Sequence, residues 1–197
     1  MDRPKRKSNR LTGYDYREYG SYFVTLCTYE RQCIFGAIRR DSPCGCPQVY
    51  DSYPVMEYSN LGKIAVECIN ELKEYGDITV EKYIIMPNHI HAIINIVYKD
   101  LEENSVYTTD SRKGCPYANI TSSVSVSDFV GRYKSMVANR WLKQCKIKNV
   151  FMGQIWQRSF HDHIIRNEKD FQRIWEYIEN NPYNWEKDCF YPEQGGA

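Results

Sequence analysis

Hydrophobic and polar positions along the chain fall into segments of different period. Gly20-Ser21 opens the run YFVTLCTYE. Its β-branched and aromatic residues, with apolar Phe23, Leu26 and Cys27 set among threonines, predict a central strand. Residues 37–58 mix Pro, Gly and Asp without a period and read as a loop or small excursion. Leu61, Ile64, Ala65, Cys68, Ile69 and Leu72 then recur at helical spacing, with Ser59 as N-cap and Gly76 as stop. This predicts an amphipathic helix ending near Tyr75. Two strands follow, over 80–86 and 89–97, separated by the turn dipeptide Pro87-Asn88. The second places His89, His91, Ile93 and Asn95 on one face and Ile90, Ala92, Ile94 and Ile96 on the other. Residues 99–124 are polar and aperiodic, and read as a surface insertion. Ser127 and Asp128 can cap a helix carrying Phe129, Tyr133, Met136, Val137 and Trp141. A short strand around 163–165 precedes a last helix from about Glu168 to Asn180, halted by Pro182.

The order strand, helix, strand, strand, helix, strand, helix predicts an α+β fold, a ferredoxin-like (RRM-like) antiparallel sheet with helices packed on one face. The alternative is a looser α+β domain in which residues 160–165 form a loop. With 197 residues, 42% of them hydrophobic and 26% charged, the chain fits one well-buried domain and excludes disordered and collagen-like architectures. No apolar run approaches a membrane span, and MDRPKRKSNRLT holds no apolar stretch of signal-peptide type. A cytoplasmic protein is expected.

Charge changes the picture through its placement. Twenty-six Lys and Arg against 25 Asp and Glu give a net charge of only +1. Arg3, Lys5, Arg6, Lys7 and Arg10 nevertheless make a basic arm, and Arg132, Lys134, Arg140, Lys143, Lys146 and Lys148 a second basic segment. Either a positive face for polyanions or a solvated lysine-rich surface accounts for them. The eight cysteines include no CxxC pair and none near a histidine at zinc-finger spacing, so they read as reduced packing or loop residues.

His89-Ile90-His91 carries the clearest chemistry. Two histidines at i and i+2 on a strand share a face and can grip one divalent ion, while Ile90 anchors the strand from the other side. His161-Asp162-His163 competes with it, but a charged middle residue suits a buried strand less; His163 reads as a residue that orients a backbone group or carboxylate near the site. Tyr177 and Asn181, one helical turn apart, bring a phenol and an amide to one face. With 17 tyrosines in the chain, Tyr177 also reads as a packed amphipathic side chain.

MPNHIHAII, followed far downstream by IWQRSFHDHIIRNEKDFQRIWEYIENNP, resembles the single-tyrosine HUH transposases. It is most similar to the REP-associated tyrosine transposase branch, whose C-terminal signature resembles W-Q-x-x-[YF]-x-[DE]-H-x-I-R-x-x-x-D-[FY]…Y-I-x-x-N-P. The opening RKSNRLTGYDYREYGSYFVTLCT is also similar to the usual start of these proteins. The resemblance leaves only residues 37–58 and 99–124 poorly matched, and His161 stands where an aromatic residue is more usual. It implies a basic arm over 1–19, a single catalytic domain over 20–188 with those two insertions, and a tail over 189–197. It implies His89 and His91 as the metal-binding pair, Asn181 as a third, helix-borne ligand and Tyr177 as nucleophile, with His163 auxiliary. Mg²⁺ or Mn²⁺ is the implied cofactor, and Mn²⁺ suits the donor set better. The implied activity is cleavage and rejoining of single-stranded DNA beside a hairpin through a 5′-phosphotyrosine, by a monomer or homodimer in a prokaryotic nucleoid. Arg3, Lys5, Arg6, Lys7, Arg10, Arg132, Lys134 and Arg140 are then candidate DNA contacts. The rival reading is a non-catalytic single-stranded nucleic-acid-binding module that stacks bases on its sheet. A small-molecule metallohydrolase is weaker, since no carboxylate completes a facial triad within the HIH segment.

Overall fold

A computed structural model describes residues 14–41, 53–97 and 124–192. Its centre is a five-stranded antiparallel sheet of β1 (Gly20–Cys27), β4 (Glu74–Tyr75), β5 (Ile78–Ile85), β6 (His89–Ile96) and β7 (His161–Ile165), ordered β4-β5-β6-β1-β7. Without the two-residue edge strand β4, this is the ferredoxin-like order. β6 buries seven of its eight residues and its neighbour β1 five of eight, as strands covered on both faces do.

Two helices, α1 (Asn60–Glu71) and α2 (Val126–Lys148), cover one face. Their apolar stripes pack on Tyr22, Val24, Leu26, Ile90, Ala92, Ile94 and Ile96 in one continuous core. Fully buried Tyr133 of α2 ties the pair together, its hydroxyl donating to the Ala65 carbonyl at 2.9 Å. Ser59 caps α1 by accepting from the Gly62 amide. Gly62 sits directly on the Phe35 carbonyl, where a Cβ would overlap the oxygen. A third helix, α3 (Glu168–Asn180), lies on the opposite face, where Ile174 and Ile178 pack on Ile93. No described helix is long and apolar enough to cross a membrane.

Several boundaries differ from the sequence expectation. The segment 37–58 is not merely a loop: β2 (Gly36–Asp41) pairs with β3 (Tyr53–Tyr58) as a separate two-stranded sheet. Only one side of β3 is partly covered, so its alternation is weak in hydrophobicity. Helix α1 stops at Glu71 because Glu74 and Tyr75 pair with Thr79 and Ile78; Gly76, at φ +60°, makes that hairpin turn instead of capping the helix. Ser125, not Ser127, caps α2, in a capping box with Asp128. Packed structure begins before Gly20: Tyr16 is buried, and the Tyr14 and Tyr22 hydroxyls lie 3.0 Å apart. Residues 1–13, with Arg3, Lys5, Arg6, Lys7 and Arg10, and residues 98–123 lie outside the described residues.

Candidate metal and nucleophile centre

Register decides which side chains meet. Thr25 of β1 faces His91 of β6, and Phe23 lies on the same face two residues earlier. On β7, His161 pairs with Thr25 and His163 with Phe23. The sheet face opposite α1 and α2 thus carries His89, His91, Thr25 and Phe23, and α3 lies across part of it.

His89 and His91 are almost fully buried, with ring centroids 4.5 Å apart. The His89 tautomer is set from behind. Asn88, also fully buried, donates both amide hydrogens, to the Arg31 carbonyl at 3.0 Å and the Phe190 carbonyl at 2.7 Å. Its Oδ1 must therefore accept from His89 Nδ1, 2.9 Å away, which leaves a lone pair on His89 Nε2. His91 Nδ1 lies 2.9 Å from Thr25 Oγ1. Its Nε2 lies 3.2 Å from the hydroxyl of Tyr177 on α3. Burial keeps both imidazoles neutral: it pushes His89 far down, only partly offset by Asp188 and Asn181, and pushes His91 well below the ordinary histidine range, with His89 adding to the effect. Neutral imidazole is the ligating form.

Asn181 terminates α3 one turn beyond Tyr177 and is buried. Its Nδ2 donates to Asp188 Oδ2 at 2.9 Å. Asn181 Oδ1 and His89 Nε2 are both buried acceptors without a hydrogen-bond partner of acceptable geometry. Unpaired buried acceptors cost about 1–3 kcal/mol each, and a cation would satisfy both at once. The donor set therefore fits a divalent ion.

Asp188 is the residue that sequence reasoning missed. A 3-10 turn over Trp185–Lys187 folds the chain back across the sheet, and Asp188 follows it. One of its oxygens accepts the Phe190 amide at 2.8 Å; the other lies 3.4 Å from the Tyr177 hydroxyl. Ligand atoms of His89, His91 and Asp188 all lie within 4.8 Å of one another. The carboxylate absent from the HIH segment arrives from about a hundred residues downstream; only its position after Pro182, in a turn-forming stretch, hinted at it. Phe190 then packs with its ring tilted against His89, centroids 4.5 Å apart, and Arg31 holds this segment through the Cys189 carbonyl at 2.8 Å. Glu30 and Arg31 adopt left-handed backbone, φ 50° and 54°, in the turn that presents the Arg31 carbonyl to Asn88. Such non-glycine conformations cost roughly 1 kcal/mol or more each and cluster at functional sites.

Tyr177 is 42% exposed, whereas His89, His91 and Asn181 are buried. Burial of the rest of the ring, and then the nearby Asp188 carboxylate, raise its pKa well above the ordinary phenol. A cleft of about 400 Å³ opens beside it, lined by Phe23, His91, His163, Arg173, Ile174 and Phe190, among others. His163 lines this cleft and pairs with Asp170 of α3 at 2.7 Å, a carboxylate also held by Arg173. In the second basic segment, Lys143, Lys146 and Lys148 are exposed, whereas Lys134, Arg140 and Arg132 have protein partners. Lys134 Nζ donates to the Gln157 and Ser159 carbonyls, and Arg140 pairs with Glu71 and Glu67. Arg132 lies over the Tyr75 ring at 5.2 Å. Of the described cysteines, all are free thiols; Cys27, Cys68 and Cys145 are buried.

No family model matches the chain. A solved structure of a REP-associated tyrosine transposase bound to a REP hairpin shares the fold, with a TM-score of 0.50 at 17% identity, covering 89% of this chain and 74% of that one. The chain thus has the α+β fold of that structure, and in it Tyr177 of α3 meets the histidine pair of one sheet face. In sequence, an uncharacterized protein of Haemophilus influenzae (strain ATCC 51907 / DSM 11121 / KW20 / Rd) is 32% identical over 192 residues, covering 94% of this chain and 93% of its own. The chain belongs to the family of that Haemophilus protein.

Proposed function

We propose that the protein is a metal-dependent transposase that cleaves and rejoins single-stranded DNA beside hairpins through Tyr177. The observation that carries this reading is the Tyr177 hydroxyl 3.2 Å from His91 Nε2, next to the unpaired acceptors His89 Nε2 and Asn181 Oδ1. A structural tyrosine would not need buried lone pairs converging beside it. The REP hairpin bound by the protein of the same fold supports a hairpin as substrate.

His89, His91 and Asn181 would hold Mg²⁺ or Mn²⁺, which when bound supplies a Lewis acid that polarises and orients the scissile phosphate. The chain's own residues supply the rest. The Tyr177 oxygen attacks phosphorus in line with the departing sugar oxygen. The Tyr O–P bond forms, the P–O3′ bond breaks, and a proton ends on the free 3′-hydroxyl. The product is a 5′-phosphotyrosine that a second 3′-hydroxyl can reverse without ATP. Thr25 and Asn88 keep the imidazoles in place, and Phe23 packs edge-on against the Tyr177 ring at 6.1 Å to hold its orientation. Burial and the nearby Asp188 carboxylate make the phenol hard to ionise where it sits, and a bound cation would ease loss of its proton.

The test is incubation with single-stranded DNA flanking the protein's own gene, with and without Mn²⁺, followed by a denaturing gel. A metal-dependent covalent adduct is expected from the wild type. Tyr177→Phe should form none while binding the hairpin as before. An undiminished adduct in that variant removes Tyr177 from the mechanism, and hairpin binding without any adduct from the wild type favours the non-catalytic module.

A further inference from the structure

We infer that Asp188 is the anionic ligand of the divalent-cation site, a fourth donor beside His89, His91 and Asn181; the inference rests on the metal-dependent function proposed for that site. The resemblance supplies two imidazoles and one amide, a neutral set. The geometry adds a carboxylate whose ligand atom lies within 4.8 Å of both imidazole ligand atoms. Donors bound at about 2.1 Å lie roughly 3.0 Å apart when adjacent and 4.2 Å apart when opposite, so side-chain shifts of at most about 1–2 Å would close the set on one ion. Two of the other donors, His89 Nε2 and Asn181 Oδ1, are buried and unpaired. Asn181 Nδ2 is bonded to Asp188 Oδ2 at 2.9 Å, an arrangement that turns Asn181 Oδ1 away from the carboxylate and frees it as a donor.

A turn-forming role alone explains less. Accepting the Phe190 amide accounts for one oxygen of Asp188. The other accepts from Asn181 Nδ2 at 2.9 Å and lies 3.4 Å from the Tyr177 hydroxyl; what a turn-forming role leaves unexplained is that this half-buried carboxylate stands beside two buried imidazoles, one of them with an unpaired nitrogen. A carboxylate also changes the ion selected. Two imidazoles, an amide and a carboxylate suit a hard or borderline ion such as Mn²⁺ far better than the neutral set does. Four protein donors leave two positions of an octahedron for phosphate oxygens or water.

The experiment titrates the DNA-free protein with Mn²⁺ and reads free ion by electron paramagnetic resonance. The wild type should bind one ion. Asp188→Asn keeps an oxygen for the Phe190 amide but loses the charge, and should bind at least about tenfold more weakly. Glu186→Gln removes an exposed charge two residues away and should bind as wild type, which separates coordination from long-range charge. Independently of any variant, substoichiometric Mn²⁺ should broaden the side-chain carboxyl ¹³C resonance of Asp188 in the wild type. Equal affinity of Asp188→Asn and wild type, or an unbroadened Asp188 carboxyl while His89 and His91 broaden, overturns the assignment and leaves the metal-dependent function standing. A wild type that takes up no Mn²⁺ overturns both.

Discussion

Asn88 and Thr25 touch no substrate in the proposed mechanism, yet each decides what a histidine can do. Asn88 commits both its hydrogens to carbonyls and so forces the His89 tautomer; Thr25 Oγ1 sits 2.9 Å behind His91 Nδ1 and fixes the ring orientation. Replacing Thr25 by the near-isosteric valine should lower Mn²⁺ affinity by about 10–100-fold with little change in melting temperature, measured by the same titration. The imidazoles also set a pH dependence. Both have folded-state pKa values depressed by burial, whereas unfolded histidine takes a proton near about 6.5. Below that value the unfolded chain binds more protons than the folded one, so stability of the metal-free protein should fall as pH drops from about 7 toward 5. A urea midpoint flat across this range would contradict neutral buried imidazoles. His89, His91, Tyr177 and Asn181 were readable from spacing and motif because each pair lies on one element. Thr25, Asn88 and Asp188 were not, because their relevance comes from cross-strand register and from a turn that crosses the sheet.

At the scale of elements, the strong periods were legible and the weak ones were not. Helices α1, α2 and α3 and strands β1, β5 and β6 fall close to their expected positions, since each has one well-defined buried face. The β2–β3 hairpin escaped because its residues are half-covered at best, and β4 because two residues have no period. Packing explains where substitution should hurt. At Gly62 the backbone of α1 rests on the Phe35 carbonyl, so Gly62→Ala, favourable by helix propensity, should instead destabilise by about 1–3 kcal/mol in chemical denaturation. Ser125→Ala should cost about 1 kcal/mol through loss of the α2 cap.

Across the whole molecule, the sheet separates scaffold from chemistry. One face and its two helices hold the large core; the other holds the histidines, Tyr177 and the segment bearing Asp188. The cationic residues expected to meet DNA divide differently. Lys134 and Arg140 are tied to protein partners, which shifts the expected phosphate contacts toward the basic arm. Removing residues 1–13 should weaken hairpin binding and flatten its salt dependence, with log–log slope falling by about 0.7–0.9 per lost contact, while leaving Mn²⁺ uptake intact.

Helix α3 buries only Ile174 and Ile178 and rests on a small apolar patch apart from the main core. Its backbone amides should therefore exchange with deuterium sooner than those of α1 and α2, in a local opening that leaves the sheet folded. In the proposed mechanism the attacking oxygen is thus mounted on a helix that stands outside the main core. A strand captured on that helix could be carried away from the imidazoles and returned without the rest of the protein coming apart.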